Sequence, residues 1–394
     1  MNKGKKFNGE RLQSARIYRG YNVSELAEKL SLQRQTVSMY ENGKIGTPDF
    51  DILNKISQVL DFPIAFFIQQ DNSNLKYGST YFRALYTTDN KYRKQQIQRV
   101  KFISQIYKFL NEYLGFPELN LPESDVLRNC SNAEEAAVKL REHWNLGEKP
   151  IDNIIYLVEQ NGIIVVDFET KTGEVDAFSQ EIHDNDNDIY TYLIGYSKNK
   201  STAARIHFDI AHELGHILMH EWSEDIESLS KESFKEKEEE AHSFASAFLL
   251  PEESFRKDIG AYANKLMYYI ELKKKWKVSI SAMIRRSYNL NLIDYSTYGQ
   301  LMRNMHKNGI KKDEPLDNVL VTAFPSLLQA AVNMLINQNI LTPQEIINEL
   351  SDEYSLSLYS TEIENLLSLR KDTLKIINEK PYHEFKIIRY KNEQ

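Results

Sequence analysis

Two histidines and a glutamate within residues 205–220 have the types and the spacing of a catalytic metal site. His212 and His216 are four residues apart, so on a helix both imidazoles leave the same face and can reach one zinc ion. Glu213 follows the first histidine and can act as a general base towards a water molecule held by the metal. Zinc lowers the pKa of such a water towards about 7 and polarises the carbonyl group under attack. The pattern therefore predicts hydrolysis of a peptide bond.

The surroundings of this motif favour a functional site over a chance match. Apolar residues recur at helical spacing in residues 205–220 and predict a buried helix. Histidines and a carboxylate need partners there, because an unpaired polar group in a buried helix costs free energy. Four of the chain's nine histidines lie in this segment, namely His207, His212, His216 and His220. We expect His220 to cap the helix or to face solvent, and His207 to lie at the surface or to donate to a substrate.

A catalytic zinc site also needs a third protein ligand and an open position for water. The next helical pattern, residues 236–251, places four glutamates directly before a face of small residues. Residues 205–251 resemble the ImmA/IrrE family of zinc peptidases, whose pattern is an Ala-His-Glu-Leu-Gly-His helix followed by Glu-x-x-Ala-Asn-x-Phe-Ala and Leu-Leu-x-Pro. The chain departs from this pattern at its end, where Leu249-Leu250-Pro251 lacks the intervening residue.

The resemblance implies the identity of the third ligand. Aligning the Ala-x-x-Phe-Ala positions puts the family's glutamate ligand on Glu238 and its asparagine on His242. His242 lies four residues after Glu238, so it can orient this ligand from the next helical turn. Two alternatives remain open, which are Glu240 on a different face of the helix and His242 as the ligand itself.

The N-terminal segment, residues 7–68, predicts five short helices. The second begins with a capping box formed by Asn22 and Glu25, and the fourth is expected to open at Thr47-Pro48, since proline is favoured at the first helical position. The segment resembles the helix-turn-helix domain of the phage-repressor (XRE) family, and the signature is Glu25-Leu26-Ala27, Thr36-Val37-Ser38 and Tyr40-Glu41-Asn42-Gly43. The resemblance implies that the second helix of the motif enters the major groove of DNA.

Several polar residues of this segment are candidates for contacts with DNA. We expect Arg34, Gln35 and Ser38 to face the bases, because the apolar residues between them are needed by the core. Arginine pairs bidentately with guanine, and glutamine with adenine. Lys44 and Arg11 are candidate phosphate contacts, which position the domain without specifying a sequence.

Composition and charge limit the classes of protein to which the chain can belong. The 394 residues predict two to three domains, and the one cysteine, Cys130, rules out an internal disulfide framework. The chain has no apolar leader and no stretch of 18 apolar residues, so we expect a soluble cytoplasmic protein without a membrane partner. The net charge is −7, yet residues 1–44 hold nine Lys/Arg and four Asp/Glu. Only this end is therefore expected to bind DNA.

The elements predicted along the chain give a mostly helical α+β fold. We expect an all-α helix-turn-helix domain in residues 1–70, a helical linker in 71–130, a zincin-like peptidase domain with a small sheet in 131–310, and a C-terminal helical region of unknown role in 311–394. Within the linker, the polar segment 71–78 ends in glycine and predicts no regular structure.

The sheet of the peptidase domain is predicted from three apolar segments, which are residues 162–167, 177–182 and 189–196. In metallopeptidases of this architecture a strand borders the cleft, where an extended substrate can add by β-augmentation. Residues 190–196 are our candidate for that strand.

The main hypothesis is a transcriptional regulator that carries its own protease. It would bind operator DNA as a homodimer and would use Zn²⁺ to cleave a protein. The resemblance implies a repressor or antitoxin-like substrate in stress response, phage defence or mobile-element control. The alternative is a DNA-binding sensor whose peptidase-like domain binds a ligand or partner and cleaves nothing, although such a sensor has no need of Glu213. A repressor that cleaves itself is a third possibility.

Overall fold

The computed structural model describes residues 6–71, 73–82, 89–169, 177–198, 202–222, 229–311 and 313–376. The N-terminal bundle, residues 7–68, contains helices α1 (Gly9–Tyr18), α2 (Val23–Leu30), α3 (Arg34–Glu41) and α4 (Phe50–Leu60), followed by a 3-10 helix, Ile64–Ile68. The predicted capping box is confirmed, because Asn22 and Glu25 each accept a hydrogen bond from the backbone N–H of the other. Helix α4 begins later than expected, since Asp49 rather than Thr47 accepts the first hydrogen bond from the backbone.

A buried ion pair and a close backbone approach hold α1 against α3. The guanidinium of Arg16 donates two hydrogen bonds to the carboxylate of Glu41, at 2.6 and 2.9 Å. A Cβ atom at Gly9 would lie 2.2 Å from the carbonyl oxygen of Tyr40, so only glycine allows this packing distance. The two contacts fix the orientation of α3 on the rest of the N-terminal bundle.

The sheet has four strands in the order β1-β3-β4-β2. They are β1 (Leu75–Phe82), β2 (Ile163–Phe168), β3 (Ala177–Asp184) and β4 (Ile189–Ser197). Strand β3 is antiparallel to both of its neighbours, and β2 runs parallel to β4. The three strands predicted from the sequence are thus confirmed.

Two predictions about the sheet are wrong. Residues 71–78, expected as a linker, include the first half of β1, because an edge strand pairs on one side only and tolerates a polar sequence that reveals no apolar run. The expected substrate strand, residues 190–196, lies in β4 between β3 and β2. Its backbone hydrogen-bonding groups are already used on both sides, so no peptide can add there.

The rest of the described chain consists mainly of helices, and several of them pack against the sheet. The helices are α5 (Asn90–Tyr113), α6 (Ser124–Arg128), α7 (Ala133–His143), α8 (Ile154–Gln160), α9 (Ala203–Met219), α10 (Lys231–Leu249), α11 (Glu252–Ile259), α12 (Leu266–Trp276), α13 (Ile280–Asn289), α14 (Tyr295–Lys307), α15 (Leu327–Asn337), α16 (Pro343–Asp352) and α17 (Ser360–Leu366). None of the described helices is long and apolar enough to cross a membrane. Helix α9 packs against β3, β4 and α10, and this places it at the centre of the molecule.

The C-terminal helices contact the N-terminal bundle directly. Glu362 on α17 accepts a hydrogen bond from the buried hydroxyl of Tyr18 and forms an ion pair with Arg19 at 2.7 Å. The side chain of Gln69 donates to the carbonyl oxygen of Ser351 at 2.7 Å. These contacts join the end of α1 and the end of the bundle to the C-terminal region.

The same region also contacts helix α8 and the sheet. The backbone N–H groups of Ser326 and Leu327 donate to the carboxylate of Glu159, at the end of α8, at 3.0 and 3.1 Å. Ser368 donates to Asp167 on β2. The C-terminal helices, whose role the sequence leaves open, therefore link the N-terminal bundle to the sheet.

We expect Glu362→Ala to lower the free energy of unfolding by about 2 kcal/mol, because the buried Tyr18 hydroxyl loses its acceptor. Arg19 keeps the carbonyl oxygen of Leu60 as an acceptor at 2.6 Å. Urea denaturation measures the change.

The matched control is Glu349→Ala, which removes a carboxylate from the exposed Tyr113 hydroxyl and should change the free energy of unfolding by less than about 0.5 kcal/mol. Equal losses in the two variants would contradict a linking role for Glu362.

Candidate functional site

Helices α9 and α10 bring the three predicted metal ligands together. His212 and His216 have no solvent exposure, and their Nε2 atoms lie 3.1 Å apart. The carboxylate of Glu238 on α10 lies 3.1 Å from His216 Nε2 and 3.4 Å from His212 Nε2. The helices can approach this closely because Gly215 has no side chain, and a Cβ atom there would lie 3.1 Å from the Cα of Ala241.

The spacing of the three ligand atoms fits a zinc ion. Tetrahedral Zn–N and Zn–O bonds of about 2.0–2.2 Å put neighbouring ligand atoms roughly 3.3 Å apart. All three groups offer nitrogen or oxygen ligands within 4.8 Å of one another, and no other such cluster occurs among the described residues. Burial alone would raise the pKa of Glu238, but its contacts with His212 and His216 outweigh burial and lower this pKa to about 2. The carboxylate is therefore charged, as a metal ligand must be.

The two alternatives for the third ligand lie elsewhere. The carboxylate of Glu240 is 3.1 Å from His220 Nε2 and is not part of the cluster. His242 is exposed, and its ring lies 5.2 Å from the ring of His212. His242 thus makes a T-shaped contact with the ring of a histidine ligand, and its expected role in orienting Glu238 stays a prediction.

His220 is the C-cap residue of α9, which agrees with one of its two predicted roles, but it does not face solvent. It is 7% exposed, and its Nδ1 atom lies 2.8 Å from Nδ1 of His216. Since its spacing from His216 is again four residues, the ring extends the same helix face just beyond the last residue of α9. The repeated spacing was the signal in the sequence that could have indicated this contact.

Two residues of the sheet contact the site, and the sequence analysis missed both. Ser179 on β3 donates a hydrogen bond to Oε2 of Glu213 at 2.7 Å, and Glu213 has no solvent exposure. Tyr81 on β1 stacks on the ring of His216 with centroids 4.8 Å apart. Nothing in the local sequence marks this serine or this tyrosine, because strand pairing alone brings them to α9.

Two adjoining clefts open beside the cluster. One has a volume of about 930 Å³ and is lined by Glu238 and His242. The other has a volume of about 1430 Å³ and is lined by His220. Ser243 and Ser246 of α10 line both clefts, so together they form a continuous surface beside the predicted ligands.

His207 occupies neither of its predicted positions. It has no solvent exposure, and neither ring nitrogen has a hydrogen-bond partner among the described residues. On the helix it lies on the side opposite to His216. Burial, together with the smaller effect of the nearby charge of Lys277, lowers the pKa of His207 to about 4. His207 is therefore a buried neutral histidine and neither a surface group nor a substrate contact.

The predicted DNA-binding residues lie on α3 and just beyond it. Arg34 and Gln35, in its first turn, are exposed, and so is Lys44. Ser38 is half-buried and accepts a hydrogen bond from the side chain of Asn42 at 3.3 Å. These four predicted residues thus lie on or next to one helix, and three of them are exposed.

Arg11, the other candidate phosphate contact, was predicted wrongly. It is 4% exposed, its guanidinium lies 4.9 Å from the centre of the Phe66 ring, and it donates to the carbonyl oxygen of Gln70 at 3.4 Å. Burial lowers its pKa. A basic side chain that packs inside the N-terminal bundle cannot contact a phosphate.

Two family models match the chain. Residues 12–67 match the model described as Helix-turn-helix, and residues 158–288 match the model described as IrrE N-terminal-like domain. Both resemblances found in the sequence are thereby confirmed. No curated protein matches the chain. The second match includes β2 to β4, α9 and α10, whereas β1 with Tyr81 lies outside it.

We expect the stability of the metal-free protein to fall between about pH 6.5 and pH 4, partly because of His207. Below its unfolded pKa of 6.5 the unfolded chain binds a proton that the folded chain, with a pKa of about 4, does not bind. At pH 5 this difference is worth about 2 kcal/mol. Urea denaturation at pH 7 and pH 5 with a chelator present should show a smaller pH effect in His207→Leu. The control is His306→Leu, on the exposed side of α14, which should lose as much stability between pH 7 and pH 5 as wild type does. An equal loss in wild type and both variants would show that His207 does not cause the pH dependence.

Proposed function

We propose that this protein is a DNA-binding regulator that hydrolyses a partner protein at a zinc-dependent endopeptidase site. The proposal starts from the combination in one chain of a helix-turn-helix domain and an IrrE-like domain of metallopeptidase type. The observation that carries it is the convergence of His212, His216 and Glu238 on one point, next in sequence to the buried carboxylate of Glu213. This ligand set and base are suited to metal-assisted hydrolysis of an amide.

His212, His216 and Glu238 would hold the metal. Bound zinc would supply a Lewis acid that polarises the scissile carbonyl and makes a water molecule more acidic. Glu213 accepts the proton of the attacking water and returns it to the leaving amine. Ser179 fixes the orientation of that carboxylate through its hydrogen bond of 2.7 Å. Burial of Glu213 excludes bulk water from the proton transfer.

The two adjoining clefts are the proposed path of the substrate. They run past Glu238 on one side and past His220 on the other, so an extended chain can pass beside the predicted ligands. The attached DNA-binding domain and the family resemblance support a regulatory protein as the substrate. We assign it to the repressor or antitoxin-like class, in stress response, phage defence or mobile-element control.

The N-terminal bundle is proposed to bind an operator as a homodimer. Helix α3 would enter the major groove, with Arg34, Gln35 and Ser38 at the bases and Lys44 at a phosphate. The exposure of the arginine and the glutamine in the first turn of α3 supports this orientation.

One observation favours the alternative function of a sensor that cleaves nothing. His212, Glu213 and His216 are all without solvent exposure, so a substrate reaches them only if the surrounding elements move. A sensor would need no such movement. The two functions differ in whether Glu213 is required, and that difference can be tested.

We expect purified wild type to contain about one zinc per chain and Glu238→Ala to contain none, because two histidines alone hold zinc weakly. Metal analysis of the purified proteins measures this. Glu239→Ala is the matched control, since the neighbouring carboxylate is exposed and pairs with Lys235 on the surface. Zinc in Glu238→Ala at the wild-type level would remove this carboxylate from the ligand set.

Co-expression with proteins encoded beside the gene should identify the substrate. We expect a neighbouring protein to be cleaved by wild type and to remain intact with Glu213→Gln, which keeps the shape of the side chain but cannot accept the proton. Zinc content should be unchanged in Glu213→Gln. Cleavage at an equal rate by both proteins would contradict the assigned role of Glu213. Zinc binding without cleavage of any candidate would favour the sensor.

Replacing Arg34 and Gln35 together by alanine should weaken binding to the selected operator by roughly 1–3 kcal/mol for each lost base contact. Binding to unrelated DNA should change much less. Lys44→Ala should weaken both kinds of binding to a similar degree, because a phosphate contact carries no sequence information. Titrations at a fixed salt concentration measure these affinities. Unchanged operator affinity in the double variant would show that α3 does not contact the bases as proposed.

A further inference from the structure

Three side chains in contact with one another, His216, His220 and Glu240, form a relay from the predicted metal ligands to the solvent. His216 Nδ1 lies 2.8 Å from His220 Nδ1, and His220 Nε2 lies 3.1 Å from Oε2 of Glu240. Both rings are buried, whereas the side chain of Glu240 is 54% exposed. From this geometry we infer that Glu240 and His220 are positioning residues that orient the metal ligand His216. The inference rests on the proposed metal site.

The ring hydrogen atoms of this relay have only one consistent arrangement when both histidines are neutral. If Nε2 of His216 binds the metal, its ring hydrogen must be on Nδ1, which then donates to Nδ1 of His220. That nitrogen must accept, so the hydrogen of a neutral His220 is on Nε2. It points at Glu240, whose carboxylate accepts it. Each group thus fixes the tautomer of the next one.

The stacking of Tyr81 holds the two rings in this arrangement. Its ring centroid lies 4.8 Å from that of His216 and 5.6 Å from that of His220. The Tyr81 hydroxyl donates to the carbonyl oxygen of Glu221 at 2.9 Å, which anchors the residue that follows His220. Strand β1 therefore supports the relay from the side of the sheet.

The inference gives different roles to the three consecutive glutamates of α10. Glu238 contacts both histidine ligands, Glu240 contacts His220, and Glu239 pairs with Lys235 at the surface. A carboxylate hydrogen-bonded to an imidazole makes that imidazole a better acceptor, and this strengthens the hold on the next ring. Glu240 thus acts on the metal through two histidines without touching it.

Zinc affinity of the full-length protein tests this inference, measured by competition with a chromophoric chelator. We expect His220→Phe to raise the dissociation constant of zinc about 10- to 100-fold, since the ring is kept but the acceptor is lost. Glu240→Gln should raise it about threefold to tenfold. His220→Gln should recover part of the loss, because its amide oxygen can accept from His216 Nδ1. Glu239→Gln, the matched control, should bind zinc as wild type does.

The visible spectrum of the cobalt(II) form gives a readout that a general loss of stability would not change. It should shift in His220→Phe and Glu240→Gln and stay unchanged in Glu239→Gln. Wild-type zinc affinity and an unshifted spectrum in His220→Phe or, if that variant does not fold, in Glu240→Gln, would overturn the relay and leave the proposed function intact. Absence of zinc binding in wild type would overturn both.

Discussion

The close approach of α9 to α10 is the constraint on which the candidate site depends. Gly215 faces the backbone of Ala241 and the ring of Phe244, and a Cβ atom at this position would lie 3.1 Å from each, so the neighbouring helix would have to shift by a few tenths of an ångström. The separation of the two helices sets the distance from Glu238 to the histidines of α9. Since ligand atoms must lie roughly 3.3 Å apart around zinc, an increase of even 1 Å would remove the third ligand.

Helix α9 carries an unusual number of buried polar groups, and the surrounding elements are arranged to meet them. Strand β3 supplies Ser179 for Glu213, α10 supplies carboxylates for three histidines, and β1 supplies an aromatic face. Buried polar groups destabilise a fold unless they are satisfied. The architecture around α9 is therefore determined as much by hydrogen bonding as by apolar packing. His207, which has no such partner among the described residues, shows the cost in its lowered pKa.

Local periodicity was enough to predict the parts of the molecule that depend on neighbouring residues. The spacing of His212 and His216, the capping box of α2 and the apolar strands β2 to β4 all follow from contacts within a few residues. The contributions of Ser179 and Tyr81 depend on which strands pair, and strand order is not encoded locally. The prediction that Arg11 contacts a phosphate was wrong for a related reason, because the burial of Arg11 depends on Phe66, which lies far along the chain.

The edge position of β1 affects how this protein can be divided. Strand β1 precedes the matched range 158–288, yet it covers the side of β3 that faces away from β4. A fragment trimmed to the matched range would present β3 as a bare edge, with open backbone groups ready to pair with another molecule. Residues 158–288 alone thus lack one strand of the sheet, although the sequence match covers only this range. Any exchange of modules, in the laboratory or in evolution, must carry the strand that joins it to the N-terminal bundle.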